Sequence, residues 1–97
     1  MQRIQPDLLK QLLIEALSKT KPKSLAVGSL QRAGVLVPIV QTEGSYNFLF
    51  TKRTERVETH KGQVSFPGGG VDANDRDIVD TALREAWEEV GIARGDV

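Results

Sequence analysis

The sequence has no cysteine, which excludes disulfides, thiolate metal sites and a cysteine nucleophile, and it fits a reducing compartment. It also lacks a surplus of either charge. Lys plus Arg and Asp plus Glu are both 13, so no overall field draws the chain to nucleic acid or an anionic membrane. Any function that uses charge must be local. No apolar run approaches the roughly 20 residues of a membrane span. The N-terminus has no uninterrupted apolar core of a signal peptide, because Lys10 and Glu15 flank "QLLI". No internal repeat or low-complexity segment is present. These absences lead to the expectation of a soluble, cytoplasmic protein with a small-molecule partner and neither nucleic acid nor membrane. At 97 residues the chain allows one domain with a modest core.

In "PDLLKQLLIEALS", residues 6 to 18, the residues Leu8, Leu9, Leu12, Leu13, Ala16 and Leu17 share one side of a helix, with Pro6 and Asp7 suited to its first turn. The basic, polar "SKTKPKS" that follows reads as a linker, so residues 1–24 form a helix and linker ahead of a domain over 25–97. "AGVLVPIV", the turn signal "TEGS" and "YNFLFTKR" predict two strands joined as a hairpin. Pro38 has no amide to donate and marks an edge or bulge. "QVSF" predicts a third short strand, and in "PGGG" the residues Gly68, Gly69 and Gly70 are expected to end the sheet and open a loop.

After "VDANDRD" the period becomes helical. At about 100° per residue, Ile78, Val79, Ala82, Leu83, Ala86, Trp87 and Val90 fall on one half and Asp80, Thr81, Arg84, Glu85, Glu88 and Glu89 on the other. Asn74 or Asp75 can cap the start, Asp77 suits the first turn, and Gly91 can end the helix. Trp87 and Phe66 read as packing residues. Glu85, Glu88 and Glu89 span an arc of only about 100°, although like charges at this spacing destabilise a helix. A hard divalent cation would offset that cost, since Mg²⁺ takes carboxylates, water and substrate phosphates as ligands. Arg84 can brace a neighbouring carboxylate and pair with Asp80. The glycine run just ahead would let a main-chain carbonyl join the ion and amides face a phosphate.

These residues resemble the signature of the Nudix hydrolases, which cleave nucleoside diphosphates linked to another moiety. From Gly70 the spacing is five residues to position 76 and seven more to "REAWEEVGI", Arg84 to Ile92. The departure is Arg76, where the signature has Glu. Upstream, Thr51, Arg53, His60, Gly62, Gln63, Phe66, Pro67, Gly68 and Gly69 are similar to the further motif of the coenzyme A diphosphatase branch. The resemblance implies an α/β (α+β) fold, a Nudix-type α/β/α sandwich with a mixed sheet, of which this chain would carry the N-terminal part only, incomplete at the C-terminal end of the domain. It further implies Mg²⁺ or Mn²⁺ held by Gly69, Glu85, Glu88 and Glu89, with Arg84, Glu85, Glu88 and Glu89 as the catalytic group. Thr51, Lys52, Arg53, His60, Gly62, Gln63, Gly68 and Gly69 would contact substrate, and Arg56 could meet the phosphates. The implied reaction splits coenzyme A into 4′-phosphopantetheine and adenosine 3′,5′-bisphosphate. The alternatives are another diphosphate substrate (ADP-ribose, a dinucleotide or a nucleoside triphosphate) and an inactive binding module. An incomplete domain would leave apolar faces uncovered, predicting marginal stability or association, a homodimer being one form of it.

Overall fold

The computed structural model describes residues 6–24, 28, 30–52 and 62–97, with the side chains of Pro6 and Asp7 left aside. Its elements run α1 (Pro6–Ser18), β1 (Ala33–Val35), β2 (Ile39–Thr42), β3 (Ser45–Phe48), β4 (Thr51–Lys52), β5 (Val64–Ser65), β6 (Gly68–Gly70) and α2 (Ile78–Val90), closed by a 3-10 turn at Arg94–Asp96. This is a mixed α/β arrangement. Among the described residues the strands form three two-stranded antiparallel sheets, β1 with β6, β2 with β3 and β4 with β5.

The hairpin forms where the turn signal lies. Thr42 pairs with Ser45, and Glu43 and Gly44 between them have φ of +48° and +80°. Two consecutive positive φ values make the turn whose twist matches its strands, and glycine enters that region without steric cost. The run from Ala33 to Val40 is not one strand. It breaks at Leu36 to Pro38, so β1 pairs with β6 while β2 pairs with β3. Pro38 is buried at this change of sheet, and its carbonyl accepts the Leu49 amide at 3.2 Å.

The glycine run corrects the expectation of a loop. Gly68–Gly70 is β6, in register with Val35, Gly34 and Ala33, and the Val71 amide extends the ladder to the Arg32 carbonyl at 2.9 Å. None of the three has positive φ. What the run supplies is closeness: a Cβ on Gly68 would come within 2.5 Å of the Gly34 carbonyl oxygen, and one on Gly69 within 2.5 Å of the Glu85 carboxyl carbon. Gly34 on the paired strand plays the same part toward α2, for its Cβ would lie 2.7 Å from the Ile78 carbonyl oxygen and 3.0 Å from the Ala82 amide nitrogen.

Helix α2 starts at Asp77, whose extended backbone and carboxylate cap the Asp80 amide at 2.7 Å. The cap is therefore neither Asn74 nor Asp75, because the Asp75 carboxylate is taken by Arg84. Gly91 ends the helix in the left-handed region with φ +71°, and its amide bonds back to the Trp87 carbonyl at 3.0 Å. The buried face is Thr81, Ala82 and Ala86, turned from the expected apolar face. Val79 and Trp87 are 64% and 59% exposed. A strand of glycines accepts small side chains at close range, so the helix buries its alanines and threonine, holds Ile78 and Leu83 half-buried and leaves Val79 and Trp87 outside.

Helix α1 occupies the expected span, yet Leu8, Leu12, Leu13 and Leu17 stay exposed where it lies beside Ile39 and Tyr46 of the hairpin. Phe66 is half-buried, stacked on Phe50 with ring centroids 4.5 Å apart and edge-on to Phe48 at 6.0 Å. The radius of gyration is 15.8 Å, above the roughly 13 Å of a compact domain of about 100 residues. Among the described residues, the closest packing of helix on strand is that of α2 against β1 and β6.

Because backbone surrounds Gly34 on the helix side, a methyl there has no flexible neighbour to displace. Gly34→Ala should cost about 1–3 kcal/mol, read as a lower urea midpoint at unchanged slope. Gly95→Ala, with nothing within 4 Å of the added carbon, should leave the midpoint within experimental error.

Candidate functional site

The site is organised on Arg84, whose guanidinium has all its donor directions occupied. Nε and Nη2 grip the two oxygens of Asp75 at 2.9 and 3.0 Å, and Nη2 also reaches the Gly70 carbonyl at 3.0 Å. Nη1 donates to Glu85 at 3.0 Å and to Glu88 at 3.2 Å. One planar cation thereby ties the loop before α2, the end of β6 and two of the helix carboxylates. Arg84 does brace its neighbours as expected, but its long-range partner is Asp75 and not Asp80. Asp80 instead pairs with Arg94 at 2.6 Å and with Arg76 at 3.7 Å.

The Asp75 side chain is 3% exposed and that of Arg84 24%. The hydrogen bond from Arg84, reinforced by the Asp72 amide, holds the Asp75 carboxyl well below the usual carboxylate range, against the opposing effect of desolvation. Arg84 is pushed above its ordinary value, first by Asp75. Asp80 is likewise lowered, by the Arg76 amide and then the Arg94 guanidinium.

Of the residues expected at the site, Gly69, Arg84, Glu85 and Glu88 come together, since the Gly69 backbone lies against the Glu85 carboxylate that Arg84 holds. Glu89 is exposed near the end of α2. Among the described residues no three carboxylate or imidazole side chains are gathered closely enough to enclose a metal ion. The donor chemistry nevertheless suits a hard divalent cation. Glu85 and Glu88 are all-oxygen donors that already share one positively charged centre, and no Cβ stands between the Gly69 main chain and Glu85.

The upstream residues stand on a separate sheet. Thr51 and Lys52 form β4 against β5, with the Thr51 hydroxyl donating to the Ser65 carbonyl at 3.1 Å. Gly62, with φ +75°, and the exposed Gln63 precede β5. Arg53, Arg56 and His60 lie outside the described residues. Trp87 does not pack as expected. It is exposed beside Arg84, Ala93 and Arg94.

Sequence reasoning missed Asp75 as the partner of Arg84, and with it Thr81, whose hydroxyl donates to the same carboxylate at 2.8 Å. The available signal was an acid nine residues before the arginine and six before the threonine, a pattern that crosses the start of the helix and has no helical period.

The sequence profile of the NUDIX domain matches residues 30–97. The chain belongs to the Nudix family. Among curated relatives, the uncharacterized Nudix hydrolase NudL of Pectobacterium atrosepticum is 46% identical over 71 residues, covering 73% of this chain and 36% of the relative. The mitochondrial coenzyme A diphosphatase NUDT8 of Mus musculus is 42% identical over 84 residues, covering 86% of this chain and 37% of its own length. The NUDT8 of Homo sapiens is 52% identical over 62 residues, covering 63% and 26%. This Nudix chain thus spans roughly a third of the length of the relatives it matches.

A carboxylate whose folded value is depressed contributes stability that is present above its unfolded value and lost as pH falls toward the folded one. The stability gap between the protein and Asp75→Asn, measured by urea unfolding, should stay constant from pH 7 to about 5 and narrow below about pH 4. A gap that closed between pH 7 and 5 would mean that Arg84 does not hold the ionised form.

Proposed function

We propose that this Nudix chain belongs to a coenzyme A diphosphatase, which hydrolyses the diphosphate bond of coenzyme A or its derivatives to 4′-phosphopantetheine and adenosine 3′,5′-bisphosphate. The observation that carries the reading is the Arg84 hub, which holds Glu85 and Glu88 beside a strand with no side chains. Choice of coenzyme A rests on the upstream residues from Thr51 to Gly69 that match the branch motif, and on the similarity to relatives named as coenzyme A diphosphatases.

Glu85, Glu88 and Glu89, with the Gly69 carbonyl, would hold Mg²⁺ or Mn²⁺. A bound divalent cation supplies charge neutralisation for the diphosphate and acidifies water for attack on phosphorus. The chain's own residues position. Arg84 fixes Glu85 and Glu88 in place, and the Gly68–Gly70 backbone admits a ligand at close range because nothing projects from it. Lys52 at the end of β4 would contribute positive charge toward phosphates. Positioning and neutralisation of this kind account for most of the catalysis in phosphoryl transfer.

With Mg²⁺ supplied, the protein should turn over coenzyme A in preference to ADP-ribose, nucleoside triphosphates and dinucleotides, as followed by chromatography of the products. Glu88→Gln and Glu89→Gln should each lower the rate by roughly 100-fold or more. Preference for ADP-ribose would overturn the substrate assignment. Full rates in both variants would overturn the site.

A further inference from the structure

One nearly buried side chain joins the loop before α2 to the helix and to Arg84 without belonging to the expected ligand set. The oxygens of Asp75 collect four donors: Arg84 Nε on Oδ1, and Arg84 Nη2, the Asp72 amide and the Thr81 hydroxyl on Oδ2, all within 3.0 Å. Thr81 is itself fully buried on α2. The loop, the helix and the guanidinium are therefore fastened at one carboxylate, and the plane of Arg84 cannot turn without breaking several charge-assisted bonds. With Nε and Nη2 committed to Asp75 and the Gly70 carbonyl, only Nη1 is left to face Glu85 and Glu88.

Position 76 sharpens the point. The signature has Glu there, but here Arg76 has a side chain 83% exposed and turned to Asp80. The carboxylate that meets Arg84 comes from the residue before it.

We infer that Asp75 is a positioning residue for the metal-binding carboxylates, an inference that rests on Glu85 and Glu88 being metal ligands. Asp75 neutralises the inner edge of Arg84 and fixes its direction, so the glutamates are aligned by Nη1 yet hold only part of the guanidinium's charge. They can exchange that nitrogen for a divalent ion. Without the Asp75 charge, the whole cation is left to Glu85 and Glu88 and competes with the ion for them. Outer partners of this kind typically change metal affinity by about 10–100-fold. A role confined to stability would lower the unfolding midpoint and leave the ion affinity of the folded protein unchanged.

The test is a Mn²⁺ titration, read by the paramagnetic resonance signal of the free ion, on the unaltered protein and on Asp75→Asn, Thr81→Val and Glu43→Gln, with circular dichroism reporting the folded fraction. Asp75→Asn should raise the Mn²⁺ Kd by roughly tenfold or more. Thr81→Val, which removes one of the four donors, should raise it by a smaller factor, and Glu43→Gln, in the exposed turn between β2 and β3, should leave it unchanged. A Kd within about twofold of the unaltered protein in folded Asp75→Asn overturns the inference. If Asp75→Asn does not fold, the same threshold applied to Thr81→Val decides. Unaltered protein that fails to bind Mn²⁺ also overturns it. Mn²⁺ binding that depends on Asp75, without hydrolysis of coenzyme A, supports the inference while removing the substrate assignment above.

Discussion

The chain depends on one guanidinium being satisfied from three directions at once. Arg84 sits on a short helix, yet it takes ligands from the preceding loop, from the last residue of the glycine strand and from its own helix. A planar cation with fixed donor angles allows these pieces few relative placements, so recognition of carboxylates here also specifies structure. The burial around it is modest, and the apolar side chains of α2 that are fully buried are the two alanines, Ala82 and Ala86, with Ile78 and Leu83 half-buried. Polar geometry carries much of the specification that a larger core would otherwise provide.

The close approach of α2 to β1 and β6 has the same economy. Gly34 lies under the helix, Gly68 under the neighbouring strand and Gly69 under the Glu85 carboxylate, each at a separation that a methyl group would violate. Thr81, Ala82 and Ala86 complete the contact from the helix side. The carboxylates stand next to bare main chain because the packing beneath them leaves no room for anything larger. Fold and site use the same glycines.

Both helices and the hairpin could be read in the sequence because each rests on local rules: a period near four residues, a left-handed glycine after the last turn, and a Glu-Gly pair between apolar strands. The site was half legible. Arg84, Glu85 and Glu88 stood out as neighbours on one helix face, and the glycines stood out by composition. The reason for the glycines did not, since a tripeptide of glycine looks like a loop until the strand and helix that press on it are known. The buried face of α2 was misjudged for the same reason. Hydrophobicity ranks Val79 and Trp87 above Thr81, but the surface opposite is flat backbone, and there size outranks polarity. The pairing of Asp75 with Arg84 escaped notice because its bonds span a loop and a helix start, where no periodicity applies.

The strand Gly68–Gly70 presents only amides and carbonyls to whatever lies against it. Such a wall is chemically the same for every diphosphate, because it sees the backbone-like charge of the phosphates and nothing of the groups they join. Discrimination between one nucleotide derivative and another must therefore be written elsewhere, in the side chains of other segments. Under the proposed function, the strand would supply the part of recognition that all such substrates share, and a change of substrate within this architecture would leave it untouched.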